Sequence, residues 1–441
     1  MRRLRRSQSR PKLDAVRQAG RRQGREAGLQ EGYARGLQEG AGAFGRPFEG
    51  TSIVIPTYNK VDYLKECVAS IQRYTTEPYE LIIVDNASED GTADYLRGLR
   101  GVRCRINAEN LGFAGSVNQG LMMARGTTLL ILNNDIVVTP RWLTNMLHCL
   151  HATHGIVGPV TNYISGEQQI ETGYQGMEEM QQFAERYNHS DPSQWVRTER
   201  LMGFCLLMRR DDFLRIGYFD EGYVIGNCED DDYMIRARLH GIGLVNARDC
   251  FIHHYGSVSM KSLEGRFDEV YGRNLAFFSH KWSDPSGMLG LQWQQPGERS
   301  HTTDAAPTAV LVRGLHPQPY WIEHGVRRPV TGVCETSGVR VSQHDLRAWP
   351  RGEPITADEM RQRQERLGRT SELSAEEHGV LLCTPEGAVF QAKSGRMHRF
   401  LNDAAIAAWG LEHRTQLPIA SPPGLEGVPL LQPPQIKAGN L

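Results

Sequence analysis

Three short apolar runs and one weaker strand in the first third of the chain each end on a cluster of polar residues, and that hand-off restricts the fold more than any other feature. The clearest is Leu129-Leu130-Ile131-Leu132, which gives way to Asn133-Asn134-Asp135 before Ile136-Val137-Val138 resumes the apolar pattern. A run of that length without alternation reads as a strand buried on both faces, as in a parallel sheet. A carboxylate inside it is costly unless something pairs with it, although Asn-Asn-Asp alone also suits a tight turn. The hand-off recurs upstream. Ser52 to Ile55 leads into Pro56-Thr57-Tyr58-Asn59, Leu81 to Val84 into Asp85-Asn86, and Val102 to Ile106 towards Asn110-Leu111-Gly112-Phe113-Ala114-Gly115. Val61, Leu64, Cys67, Val68 and Ile71 fall on one helical face, with Asn59 placed to cap that helix. Asn118 and Gln119 sit on a later helix that ends near Gly126. Strands alternating with helices predict an α/β fold with a parallel sheet, whose ligands bind at the carboxyl ends of the strands.

With 441 residues the chain has room for two or three domains, and a net charge of -1 excludes an electrostatic nucleic-acid binder. No apolar stretch reaches membrane-spanning length, and the basic N-terminus lacks the apolar segment of a secretory signal, so a cytoplasmic protein is expected. The eight cysteines include no C-x-x-C pair and read as reduced thiols. The four strand ends, rich in Asn and Asp, carry neither G-x-G-x-x-G nor G-x-x-x-x-G-K. The strand ends therefore suit a nucleotide held by side chains, its diphosphate bound through a divalent cation (Mn²⁺ or Mg²⁺) at Asp135.

Ile-Pro-Thr-Tyr-Asn, Val-Asp-Asn-Ala-Ser-Glu-Asp-Gly-Thr, Asn-Leu-Gly-Phe-Ala-Gly-Ser-Val-Asn-Gln-Gly and Leu-Asn-Asn-Asp, in that order, resemble the family 2 glycosyltransferases over residues 50 to about 280. The resemblance implies a GT-A fold, a UDP- or dTDP-sugar donor, and inversion at the anomeric carbon. It implies that Thr57, Tyr58, Asn59, Asp85 and Asn110 surround base and ribose, with Pro56, Asn86, Gly112, Phe113, Asn118, Asn133 and Asn134 completing the donor site. Asn133-Asn134-Asp135 stands where the family places Asp-x-Asp, so Asp135 alone is left to meet the metal.

Further on, Glu229-Asp230-Asp231-Asp232 precedes Met234, Ile235 and Leu239. Such a run suits a helix N-terminus facing the helix dipole, or crowded carboxylates of which one is poised as a general base. By resemblance to the family's Glu-Asp-x-Asp, Asp230 is the catalytic base and Glu229 orients the acceptor, while Asp231 and Asp232 cap and solvate the helix. The same resemblance puts a metal-site histidine before Gly-Ser; His254 fits it better than His253.

Residues 1–47 form a basic tail with glycine at every fourth position from Gly20 to Gly40, read as disordered or helical. Residues 48–282 form the transferase domain, 283–307 a linker, and 308–441 a C-terminal tandem-repeat module containing β-structure. In the repeats, Tyr320 precedes Gly325 as Phe390 precedes Gly395, each pair predicting a hairpin with glycine at the turn. The module resembles short repeats appended to bacterial envelope proteins, and it and the tail are candidates for self-association. The expected function is transfer of a sugar to a glycan, lipid-linked or protein acceptor, at the membrane periphery or spore envelope if not free in the cytoplasm. The alternative is a non-catalytic GT-A scaffold in envelope assembly; a nucleotidyltransferase is disfavoured by the missing Gly-rich activation loop.

Overall fold

The first strand of the central sheet runs from Phe48 to Thr57, and its neighbours are assembled so that the polar strand ends fall level. Strands β1 (Phe48–Thr57), β2 (Tyr79–Asp85) and β3 (Val102–Ile106) pair in parallel, with Thr57 opposite Asp85 and Asp85 opposite Ile106. The sheet continues with β4 (Gly126–Leu132), β5 (Ile136–Val137), β6 (Ile156–Thr161), β7 (Trp195–Thr198), β8 (Cys205–Arg209) and β9 (Leu244–His254). Its order is β3-β2-β1-β4-β8-β6-β9-β5, with β7 alongside β9. Strand β8 runs antiparallel to β4 and β6, and β5 antiparallel to β9. The computed structural model describes residues 48–256, 267–284, 299–368, 377–421 and 427–437. The glycine-repeat tail lies outside them.

Helices cover both faces of this sheet. In α1 (Val61–Tyr74), Leu64, Cys67, Val68 and Ile71 are buried on the predicted face, each such side chain contributing about 1.5–3 kcal/mol. Asn59 does not cap it. Its own backbone is left-handed, and its Oδ1 accepts from Glu89 N (2.9 Å), while Asp90 Oδ2 accepts from Val61 N (2.9 Å) and supplies the cap from another loop. Helices α2 (Thr92–Gly98), α3 (Gly112–Met123), α4 (Trp142–Thr153), α5 (Met177–Tyr187), α6 (Arg210–Ile216), α7 (Glu229–Leu239) and α8 (Phe267–Trp282) follow. No helix among the described residues is long and apolar enough to cross a membrane. All eight cysteines are free, five of them buried.

The C-terminal segments form two smaller sheets. The first holds β10 (Val310–Arg313), β11 (Pro319–Glu323), β12 (Val326–Thr331), β13 (Val339–Arg340) and β14 (Ile355–Thr356). The second holds β15 (Leu381–Cys383), β16 (Val389–Lys393), β17 (Arg396–Arg399) and β18 (Gln416–Pro418). Both predicted hairpins are present. Their turns are His324-Gly325 (φ 50° and 71°) and Ser394-Gly395 (φ 52° and 74°), the pair of left-handed residues that a tight hairpin turn demands. Each is followed by a short helix, Gln343–Ala348 or Asp403–Ala408, and a buried tryptophan, Trp349 or Trp409. Between the repeats lies a helix at Ala357–Leu367 with a Thr356/Glu359 capping box.

From Glu49 onwards the chain is one compact unit. In the stretch 299–307, Arg299 pairs with Asp212 (2.8 Å), Ser300 meets His240 (2.8 Å), and Ala305 and Ala306 are buried. Near the end of the chain, Glu221 N donates to Gln435 O, and Gln435 N donates to Asp220 Oδ1.

Candidate functional site

A cavity of about 1050 Å³ opens over the level ends of β1, β2 and β4 and reaches the N-terminus of α7. On one side it is lined by Pro56, Thr57, Tyr58, Asn59, Asn86 and Asn110, with Phe113, Asn133 and Asn134 beside them. On the other side lie Glu229 and Asp230; Asp135 and His254 line it as well. The predicted residues are thus brought together, with three exceptions that do not line it.

Asp85 is fully buried beneath the strand ends. Its Oδ1 accepts from Ser88 N and Ser88 Oγ, while Oδ2 is buried with no donor among the described residues. Gly112 is there for its backbone: φ is 75°, and a Cβ would lie 3.0 Å from Ile225 N. Asn118 faces the other way. Its Nδ2 donates to Phe219 O and Glu221 Oε1, and its Oδ1 accepts from Phe219 N, so it pins the 219–221 segment rather than touching the cavity.

Asn86 is the hub of the donor side. Its Nδ2 donates to Asn110 Oδ1 (2.8 Å) and Gly112 O (3.0 Å), and its Oδ1 accepts from Leu111 N (2.9 Å). Asn134 Nδ2 donates to Thr57 Oγ1 (2.8 Å), tying β4 to β1.

Register explains why Asp135 and His254 meet. Ile136 pairs with His254 across β5 and β9, and Tyr255 N donates to Asp135 O (3.1 Å). His254 Nε2 then lies 3.3 Å from Asp135 Oδ1. The ring stacks on Phe204 with centroids 5.6 Å apart, and Nδ1 is 2.7 Å from Tyr163 O. A carbonyl can only accept, so Nδ1 carries the proton, and in the neutral ring the lone pair is on Nε2, facing the carboxylate. An imidazole held by a backbone carbonyl and turned to share space with a carboxylate is the donor set of a divalent metal site. His253 points elsewhere, with Nδ1 2.7 Å from Tyr174 Oη. Among the described residues no three His, Cys, Asp or Glu side chains gather as a metal cage. A cation here would take two protein donors and complete its shell from ligand oxygens and water.

At the start of α7 the four carboxylates have four different environments. Asp230 accepts from Gly203 N through Oδ2 and from Asp231 N through Oδ1, both at 3.0 Å. Burial, and then the charge of Asp230, push Glu229 well above the usual carboxylate range. Burial and Asp230 also push Asp231 up to about 6, against the pull of Arg200, which pairs with it at 2.5 and 2.7 Å. Asp232 is fully buried, bonded to Lys281 (2.6 Å), Arg236 (2.9 Å) and Trp282 Nε1 (3.0 Å). Burial alone would raise it, but those cations hold it below its ordinary value. The expectation that Asp231 and Asp232 solvate the helix is therefore corrected: one carries an ion pair at the cavity wall, the other fastens α7 to α8. Sequence reasoning also missed Arg200, Gly203 and Tyr271, which line the cavity. No local motif marks them.

Residues 52–217 match the family described as "Glycosyl transferase family 2". Validoxylamine A glucosyltransferase of Streptomyces hygroscopicus subsp. jinggangensis is 25% identical over 227 residues, covering 45% of this chain and 53% of that protein. Glycosyltransferase AglE of Haloferax volcanii is 28% identical over 108 residues, covering 23% and 36%. Glycosyltransferase GlyG of Streptococcus pneumoniae serotype 4 is 33% identical over 104 residues, covering 23% and 33%. The chain thus spans between about a third and a half of the length of these relatives. Among solved structures, the mannosyltransferase PcManGT from Pyrobaculum calidifontis is 20% identical, covering 47% of this chain and 57% of that one, with a TM-score of 0.36. The sequence motifs, the level strand ends of a mixed α/β sheet and the family match agree: residues 52–217 carry a glycosyl transferase family 2 domain.

Proposed function

We propose that the protein is an inverting glycosyltransferase that moves a sugar from a UDP- or dTDP-sugar to an acceptor hydroxyl. The observation that carries the reading is that Asp135 and Asp230, far apart in the domain's sequence, line one cavity. Thr57, Tyr58, Asn59 and Asn110, which line the cavity, would surround base and ribose, and Asp85 Oδ2, buried just beneath them, would accept from the imide N–H of uracil or thymine if the strand ends part to admit the ring. Asp135 and His254 would hold a divalent cation, Mn²⁺ or Mg²⁺, which when bound offsets the charge of the departing diphosphate.

Asp230 is the group for the acceptor side. Two backbone N–H bonds fix its carboxylate at the cavity wall, and it takes the acceptor proton as oxygen attacks C1 opposite the leaving group. Glu229, driven towards its neutral form, can donate a hydrogen bond to the acceptor without adding a second negative charge. A single displacement requires no protein nucleophile. The acceptor would be a glycan, lipid-linked or protein hydroxyl in a bacterial envelope pathway, with the enzyme cytoplasmic or peripheral to the membrane. The 1–47 tail and the repeats are the segments available for self-association.

The test is a scan of nucleotide-sugars for diphosphate release with Mn²⁺ or Mg²⁺, with Asp135→Ala and Asp230→Asn in parallel. Release from one donor that both substitutions abolish is expected. Release unchanged by either substitution would move the domain to the scaffold reading.

A further inference from the structure

The backbone that delivers Glu229 and Asp230 to the cavity is strained. Three non-glycine residues in a row of four, Ile225 (φ 64°), Asn227 (φ 86°) and Cys228 (φ 69°), are left-handed. For a β-branched residue such as Ile225 this is a true outlier, costing about 1–2 kcal/mol, and it persists only where the surroundings over-determine it. All of Ile225 to Cys228 lines the cavity, and Cys228 is the residue from which α7 springs. The same loop touches the donor side, where Phe113 N donates to Ile225 O (2.6 Å).

One side chain opposes that strain. Asn274, fully buried on α8, accepts from Val224 N through Oδ1 (2.9 Å). Its Nδ2 faces the carbonyls of Val224 (2.9 Å), Gly226 (2.8 Å) and Asn227 (3.2 Å). The amide can sit only one way round, since a flip would aim its oxygen at three carbonyls. At the far end of the loop the tolerance is small: a Cβ on Gly203 would lie 3.1 Å from Asp230 Cβ, and Gly203 N is bonded to Asp230 Oδ2. A shift of the α7 start by a few tenths of an ångström would change that contact.

We propose that Asn274 is a positioning residue that holds loop 224–228 in its left-handed course and so sets Asp230 against Gly203. Its catalytic consequence rests on the reading of Asp230 as the base; its structural consequence does not. The experiment compares Asn274→Ala and Asn274→Asp with Phe278→Leu, a substitution one turn further along α8 that loosens packing on Tyr223 and leaves the Asn274 hydrogen bonds to the loop in place. Amide hydrogen exchange without substrate is read at Val224, Gly203 and Asp231, with Ser88 as the donor-side reference. Turnover and donor KM are read in the same variants.

Both Asn274 variants are expected to exchange faster at Val224, Gly203 and Asp231 but not at Ser88. Turnover falls about 10–100-fold, as for a catalytic group misplaced by under an ångström, with donor KM nearly unchanged. Phe278→Leu, even with an equal fall in Tm, leaves both readouts near wild type. Adding Ile225→Gly to Asn274→Ala removes a left-handed penalty and recovers part of the turnover. Unchanged exchange at Gly203 and Asp231, or equal acceleration in Phe278→Leu, overturns the proposal. Faster exchange with unchanged turnover supports the holding role and refutes Asp230 as the base.

Discussion

The two walls of the cavity are built from different chemistry. The donor wall is made of neutral groups that satisfy one another: Asn86 on Asn110, Asn134 on Thr57, Asn59 on Glu89. Each sits at the end of a strand or in the loop just after it, and the register of β1, β2 and β3 brings them level. The acceptor wall is ionic. Its carboxylates crowd one helix start, and three of them depend on a partner from a distant stretch: Asp230 on Gly203, Asp231 on Arg200, Asp232 on Lys281. A neutral network set by sheet register can lose a member and stay in shape. A cluster of buried like charges cannot, because each removed partner leaves a charge uncompensated.

Substitutions that separate the walls test this contrast, and the largest effect belongs to the acceptor wall. Asp230→Asn keeps the shape and removes the base, so turnover is expected to fall about 10²–10⁴-fold while donor KM holds; steady-state kinetics with the donor found in the scan measures both. Next is Lys281→Met. Lys281 is 1% exposed and bridges Asp220 (2.7 Å) and Asp232 (2.6 Å). Its loss should cost about 3–5 kcal/mol, read as a lower midpoint in urea unfolding. If the protein kept its stability, the acceptor wall would be no more fragile than the donor wall. On the donor wall, Asn86→Ala deletes a hub and leaves Leu111 N without its acceptor. The expected cost is up to about 3 kcal/mol, appearing as weaker donor binding with turnover little changed.

The same contrast governs how much was legible in the sequence. The donor wall was readable because its residues follow strands that announce themselves as apolar runs, and the hydrogen bonds join neighbours in the sheet. Asn118 and Asn59 were misread for a shared reason. Each lies in a motif, but its side chain turns towards a partner that no local pattern reveals: Phe219 and Glu221 for Asn118, Glu89 for Asn59. The meeting of Asp135 with His254 was reachable only by resemblance, since it depends on β5 pairing with β9. Asp231 and Asp232 look alike in sequence, yet Arg200 comes from the loop after β7 and Lys281 from the end of α8. Asn274 has no sequence signal at all; only the left-handed loop across from it gives it a role. The C-terminal hairpins were legible because their glycines meet a local backbone demand.

The smallest expected effect is also the one whose sign is hardest to guess. Asp231 titrates at about 6 in the folded protein, above its ordinary value of 3.8, because it is buried beside Asp230. Glu229 is raised for the same reasons. In the interval between those values the folded state holds protons that the unfolded chain has released, so stability falls as pH rises from about 4 to 6. Asp232 is shifted the other way by Lys281 and Arg236, and its contribution is lost only as pH drops below the ordinary carboxylate range. The two windows do not overlap. Asp231→Asn should therefore flatten the decline between pH 4 and 6 by on the order of 2 kcal/mol, measured by urea unfolding at a series of pH values. Glu229 remains to keep a residual slope, and the half-exposed Arg200 loses a partner at little cost. A decline as steep in the variant as in the wild type would mean that the acceptor wall is less strained by its own charge than its crowding implies, and the contrast with the neutral donor wall would shrink accordingly.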